Sequence, residues 1–323
     1  MNDLAIYGGW RRGCLWLLAI VLSVAASTSA HAQQTPRYVV PKTENGQPDF
    51  QGIWVTAFLT TMERPAGVES LTLSTEQARG LVEKMVANRP KVIDPDALIH
   101  DIRQLAIVKG EARSSVIVDP QDGKLPFTTA GLELSTRVQT RDRNGFDNVE
   151  ERPLAERCLE NLGYAPMRAV PVLLPRQIVQ TRDYLVISSE DSSGPRIIAI
   201  GGKPIADSLR SIGGYSVGRW EGETLVVETS HLRADDPSRT VNGRPLVISR
   251  QTRITERFTR VSPTELFYRF TIEDPALYTQ PWSGEFSMTR YDGPIFEYAC
   301  HEGNYSLANV LRGARVLEKL AEK

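Results

Sequence analysis

Histidine and cysteine are both rare in this chain, 4 and 3 of 323 residues. Metal centres built from clustered imidazoles and thiolates therefore have little to draw on, and no metal-ligand spacing occurs. A charge bias is missing too: 38 Lys and Arg stand against 39 Asp and Glu, a formal net charge of -1. That balance excludes a nucleic-acid binder working through bulk positive charge. Beyond the first thirty residues no apolar run approaches the ~20 residues of a membrane span. There is no G-x-S-x-G, no G-x-G-x-x-G after a strand, no P-loop and no H-E-x-x-H, so neither a nucleotide cofactor nor a c-type haem is indicated. No cofactor of any kind is expected. With 41% hydrophobic and 24% charged residues the chain has the make-up of a folded globular protein.

The N-terminus reads as an address. Arg11 and Arg12 precede the apolar run Cys14 to Leu22, and small residues lead to Ala30-His31-Ala32. A positive start, a short apolar stretch and an A-x-A site make residues 1–32 a secretory signal peptide. The expected product is periplasmic or secreted, without a stable membrane span. Loss of Arg11, Arg12 and Asp3 would leave the mature chain close to neutral. Cys14 would leave with the signal, and the remaining pair, Cys158 and Cys300, is expected to form one disulfide in an oxidising compartment. Two separate buried thiols are the alternative.

Residues 33–50 are polar and proline-rich, so an extended arm is expected before the strand around Gly52-Ile53-Trp54. Ser74 and Gln77 form a capping box ahead of Leu81, Val82, Met85 and Val86, which predicts a helix ended by Pro90. Residues from about 60 to 175 read as a helical and loop insertion, with Arg137 to Arg157 as surface loop. From Arg176 the pattern becomes a strand meander. Period-two alternation separated by short turns runs through Ile178, Leu185, Ile198, Val217, Leu225, Ile254, Phe258, Tyr268 and Ile272, the mark of antiparallel hairpins. Trp282–Tyr291 and Ile295–Cys300 read as a last hairpin. Leu307, Val310, Leu311, Ala314 and Leu317 predict a C-terminal helix with Ser306 as N-cap, its stripe covering the sheet. The fold class is mainly β: one domain over residues 51–323, an antiparallel lipocalin-like β-barrel, with a β-sandwich as alternative.

Three segments carry a resemblance: Gly46–Trp54 (GQPDFQGIW), Ser216–Thr229 (SVGRWEGETLVVET) and Tyr298–Tyr305 (YACHEGNY). Together they resemble a large group of secreted bacterial proteins of unknown function. The resemblance implies membership and carries over no activity or catalytic residue. Gly52-Ile53-Trp54 also resembles the lipocalin signature.

The chemistry-bearing candidates gather at the C-terminal corner. His301, Glu302 and Asn304 offer an imidazole, a carboxylate and an amide beside Cys300, a set suited to proton transfer because histidine titrates near neutral pH. His301 would act as acid or base, with Glu302 its orienter and Asn304, Tyr298 and Tyr305 polar positioners. Glu256 shares a strand face with Ile254 and Phe258 and so points into the barrel. There it would either bind substrate or form a structural ion pair with Arg219 or Arg269. Trp220, Tyr278 and Trp282 would line a pocket or fill the core. The expected partner is a small, apolar or aromatic organic molecule. The expected function is cofactor-independent acid–base chemistry on it, of lyase, isomerase or hydrolase type. A non-catalytic binding or carrier protein is the alternative, and an envelope interaction module a third class.

Overall fold

The computed structural model describes residues 38–88, 102–159, 161, 163–190, 192, 194–203, 205–234, 238–239 and 245–322. The expected signal peptide and the helix stop at Pro90 lie outside these residues. Alternating apolar and polar residues form nine main strands: β1 Gly52–Thr56, β2 Leu174–Gln180, β3 Tyr184–Ser189, β4 Arg196–Ile200, β5 Tyr215–Glu221, β6 Thr224–Ser230, β7 Arg253–Ser262, β8 Glu265–Glu273 and β9 Trp282–Tyr291. Each pairs with the next in sequence, and β9 returns to β1 with Trp54 opposite Arg290. The sheet is thus a closed barrel, which leaves its nine strands without a free edge.

Closure of an odd ring has a consequence. Strands that alternate in direction cannot close a circle of nine, so one neighbouring pair must be parallel. That pair is β4 and β5, with Ile198 opposite Ser216 and Ala199 opposite Val217. The expectation of a purely antiparallel barrel is corrected to this extent: the barrel is mixed. A parallel pair cannot be joined by a tight turn, and residues 201–214 make the crossover. They are pinned beyond β6 by a bridge between Ser211 and Leu232.

Inside, Leu185, Ile198, Leu225, Ile254, Phe258, Tyr268, Phe270, Trp282 and Phe286 are all buried. Burying each such apolar side chain contributes roughly 1.5–3 kcal/mol. Their rings pack in tilted contacts, Phe258–Tyr268 at 5.0 Å and Tyr268–Phe286 at 4.9 Å. Large side chains therefore fill this part of the barrel interior. Trp54 is buried at the β1 end of the barrel, its Nε1 donating to Phe50 O at 2.9 Å, with the Arg290 guanidinium 5.8 Å from its ring.

The insertion between β1 and β2 lies partly outside the barrel, and its last stretch reaches the interior, where Met167 N donates to the Tyr268 hydroxyl. A short strand, Ile117–Asp119, adds to β9. Helix α1 (Thr75–Ala87) starts at the expected capping box, in which Ser74 Oγ accepts from Gln77 N and Gln77 Oε1 from Ser74 N. It packs on a satellite cluster of Leu59, Ile102 and Leu105.

Helix α2 (Thr129–Asn144) corrects the surface-loop reading over Arg137 to Asn144, while the chain from Gly145 to Arg157 holds only a short helical turn at Val149–Glu151. Its buried face is Gly131, Ser135 and Val138, small residues with no apolar stripe to read. Gly131 is required by close approach, because a Cβ there would lie 2.0 Å from Leu277 O. Helix α3 (Tyr305–Ala321) forms as expected, but none of its residues is buried and its N-cap is Asn304, not Ser306. Its stripe therefore does not seal the sheet. Ile295–Cys300 is not a strand; the chain leaves β9 at Tyr291 and runs irregularly to Cys300.

Candidate functional site

Glu256 points into the barrel and is fully buried, as its strand face required. Its partner is neither Arg219 nor Arg269 but Arg196, from β4. Arg196 Nη1 donates to Glu256 Oε1 at 2.9 Å, and Nη2 bonds Oε2. The Tyr268 hydroxyl donates to Oε1 at 2.7 Å and itself accepts from Met167 N at 2.7 Å. Ser216 and Thr229, opposite one another on β5 and β6, accept from Arg196. Burial disfavours the Arg196 charge, and Glu256 beside it more than compensates, so Arg196 titrates above its ordinary value. Burial, reinforced by the Glu256 charge, pushes the Tyr268 phenol well up. Tyr268 therefore stays a neutral donor at physiological pH. Arg219 instead bonds Glu228 and Glu221 on the outer face, and Arg269 lies 3.6 Å from Glu285.

The aromatic candidates are dispersed. Trp282 and Tyr278 are buried in the core, 5.7 Å apart, and the Tyr278 hydroxyl donates to Val247 O at 2.8 Å. Burial pushes the Tyr278 phenol up as well. Trp220 is half-buried 5.2 Å from Phe50. Tyr298 and Tyr305 are exposed.

At the C-terminal corner, Cys158 and Cys300 are joined, with a Cα–Cα distance of 5.8 Å. Asn304 serves this corner: its Oδ1 accepts from Leu307 N at 3.3 Å, and its Nδ2 donates to Glu156 O at 2.8 Å. His301 and Glu302 are exposed in the turn before α3. Asn304→Ala is expected to cost about 1–2 kcal/mol as a lost helix cap. His301→Ala should change stability by no more than about 0.5 kcal/mol, as for an exposed side chain without a structural role. Urea denaturation of both variants checks the contrast, and a large loss in His301→Ala would contradict it.

Space is found elsewhere. A groove of about 670 Å³ runs along the parallel seam. Outward-facing Tyr184, Ile197 and Ala199 line it from β3 and β4; Arg210, Ser211, Ile212, Gly213 and Gly214 line it from the crossover. Tyr215, Tyr164 and Arg233 complete the wall, and it reaches Arg196 and Ser216 at the edge of the buried network. Tyr184 and Ile197 are 50% and 56% exposed although apolar. The crossover lies close because Gly214 has φ +71° and a Cβ there would stand 2.6 Å from Ser230 O. Beside Tyr215, His231 has φ +56°, and its Nδ1 lies 2.8 Å from Ser230 Oγ and its Nε2 3.4 Å from Asp207 Oδ1.

No family model, curated protein or solved structure matches the chain. The site therefore rests on its own geometry. Among the described residues no group of three or more His, Cys, Asp and Glu is arranged to hold a metal ion, and no helix is long and apolar enough to cross a membrane. Reading the sequence alone missed Arg196, Arg210, Arg233 and the groove tyrosines. One signal was present: a connection of residues 201–214, with a Gly pair at each end, is too long for a hairpin turn.

Proposed function

We propose that this protein binds a small, largely apolar organic molecule in the groove along the β4–β5 seam, and does so outside the cytoplasm. The observation that carries the reading is the groove itself. Its volume falls within the ~300–1,000 Å³ of small-molecule sites, and exposed Tyr184 and Ile197 offer an apolar face on a closed, rigid barrel. The disulfide and the signal-like N-terminus support the extracytoplasmic place. Native mass spectrometry of the exported protein, followed by titration of any molecule found, tests the reading. Tyr184→Ala/Ile197→Ala, at two half-exposed positions, should keep the fold and lose at least about tenfold in affinity, the equivalent of ~1.4 kcal/mol. Undiminished binding by that variant would remove the groove from the account.

One observation favours a second reading, acid–base turnover beside the groove. The Ser230–His231–Asp207 series, next to Tyr215, puts a hydroxyl, an imidazole and a carboxylate in reach of one another, whereas His301 and Glu302 stand exposed in a turn. Conversion of the captured molecule by the native protein, lost in His231→Ala, would replace binding by turnover.

A further inference from the structure

We infer that Ser230 is a nucleophile towards carboxylic esters of small, largely apolar groups, activated by His231 and Asp207. The inference rests on the reading of turnover beside the groove, and names its bond-forming atom and substrate class. Ser230 ends β6, opposite Tyr215 of β5. Successive strand residues face opposite ways. Thr229 turns inward to Arg196, so Ser230 points to the outer face. Residues opposite one another share a face, with Cβ atoms ~4.5–5.5 Å apart, and Tyr215 lines the groove. Ser230 is half-buried and so keeps contact with solvent beside that wall.

The residue that follows supplies the base. His231 has φ +56°, a left-handed conformation uncommon for residues other than glycine. Its imidazole lies against its own neighbour, with Nδ1 2.8 Å from Ser230 Oγ. Nε2 is buried without a hydrogen-bond partner among the described residues, and the group it faces is Asp207 Oδ1, 3.4 Å away. The Asp207 side chain is otherwise 91% exposed. Arg210 Nη2 stands 3.7 Å from the same oxygen, and Arg210 Nη1 donates to the carbonyls of Leu232 and Arg250, so the carboxylate has a fixed neighbour on that side.

Nucleophile, base and orienter thus follow one another within reach, the arrangement that activates a serine. With Nδ1 accepting the serine proton, Nε2 carries its hydrogen towards the carboxylate, so one tautomer serves both contacts. Contacts of this kind are often long before substrate binds and tighten in the complex. Ser230 Oγ bonds to the acyl carbon of the ester as its proton passes to His231 Nδ1. The bond from that carbon to the alcohol oxygen breaks, and the leaving alkoxide takes the proton from His231. Water then attacks the acyl-serine, giving one proton to His231, which returns it to Ser230 Oγ as the acid leaves.

The test joins hydrolysis of 4-nitrophenyl butyrate to labelling by diisopropyl fluorophosphate, which phosphorylates an activated serine with loss of fluoride. The native protein should hydrolyse the ester and carry one adduct, placed on Ser230 by peptide mass spectrometry. Ser230→Ala and His231→Ala should each lose at least about a hundredfold in rate, the lower end of what a positioned acid or base supplies. Ser230→Ala should also take no label. The adduct is read in the native protein, so a variant that fails to fold does not spoil the test. Hydrolysis kept in Ser230→Ala but lost in His231→Ala would overturn the nucleophile and leave turnover beside the groove standing. A native protein that neither hydrolyses the ester nor takes label on Ser230 would overturn the inference. Hydrolysis unchanged in both variants would overturn it together with the reading it rests on.

Discussion

Removing either partner of the buried Arg196–Glu256 pair should destabilise the protein by about 3–5 kcal/mol, the usual cost of leaving one buried charge uncompensated. Both side chains are essentially inaccessible to water. Glu256→Leu would strand Arg196, whose bonds to Ser216 and Thr229 cannot neutralise it, and would also deprive the Tyr268 hydroxyl of its acceptor. Arg196→Met would strand Glu256 in the same way. The double variant Arg196→Met/Glu256→Leu is expected to regain a substantial part of either single loss, because no unpaired charge then remains and the energies of contacting groups do not add. Chemical denaturation of the three variants measures the coupling. Losses that simply add would show that the pair does not act as a unit.

Opening the Cys158–Cys300 bond should cost a similar amount by another route. The two residues are 142 apart in sequence. In the chain-entropy model a crosslink closing so long a loop stabilises by about 4–5 kcal/mol, chiefly by restricting the unfolded chain. The bond also holds the corner where Asn304 caps α3 and bonds Glu156 O. Cys158→Ser/Cys300→Ser should therefore unfold at clearly lower urea concentration, with little change in the barrel strands by far-ultraviolet circular dichroism. A double variant as stable as the native protein would show that the loop is already restricted in the unfolded state.

These two devices act on different parts of the chain. The ion pair joins β4 to β7 across the barrel, 60 residues apart, and stands at the edge of the seam groove. The disulfide fastens the irregular segments outside it. The groove's shape should depend on the first more than on the second, because Arg196 and Ser216 belong both to the network and to the groove lining.

Much of the barrel is legible in the residues. Period-two alternation is a local property, so the hairpins β2–β3, β5–β6 and β7–β8 could be read directly, as could the inward face of β7 with Ile254, Glu256 and Phe258. The capping box at Ser74 is equally local, and only two cysteines follow Cys14 in the sequence, one pair to join. Glu256 could be placed inside, but its partner could not be named, since Arg196 meets it only when the sheet curls closed. Closure also made one strand pair parallel, forced residues 201–214 across the seam and so created the groove, a property of nine strands in a ring and of no single segment. Helix α2 escaped notice because it packs by smallness, with Gly131 against the backbone at Leu277, which leaves no apolar period. His301 and Glu302 looked like a site because their chemistry is suggestive in sequence. The path of the chain after β9 turned them to solvent, since the segment before Cys300 forms no strand that could aim them inward.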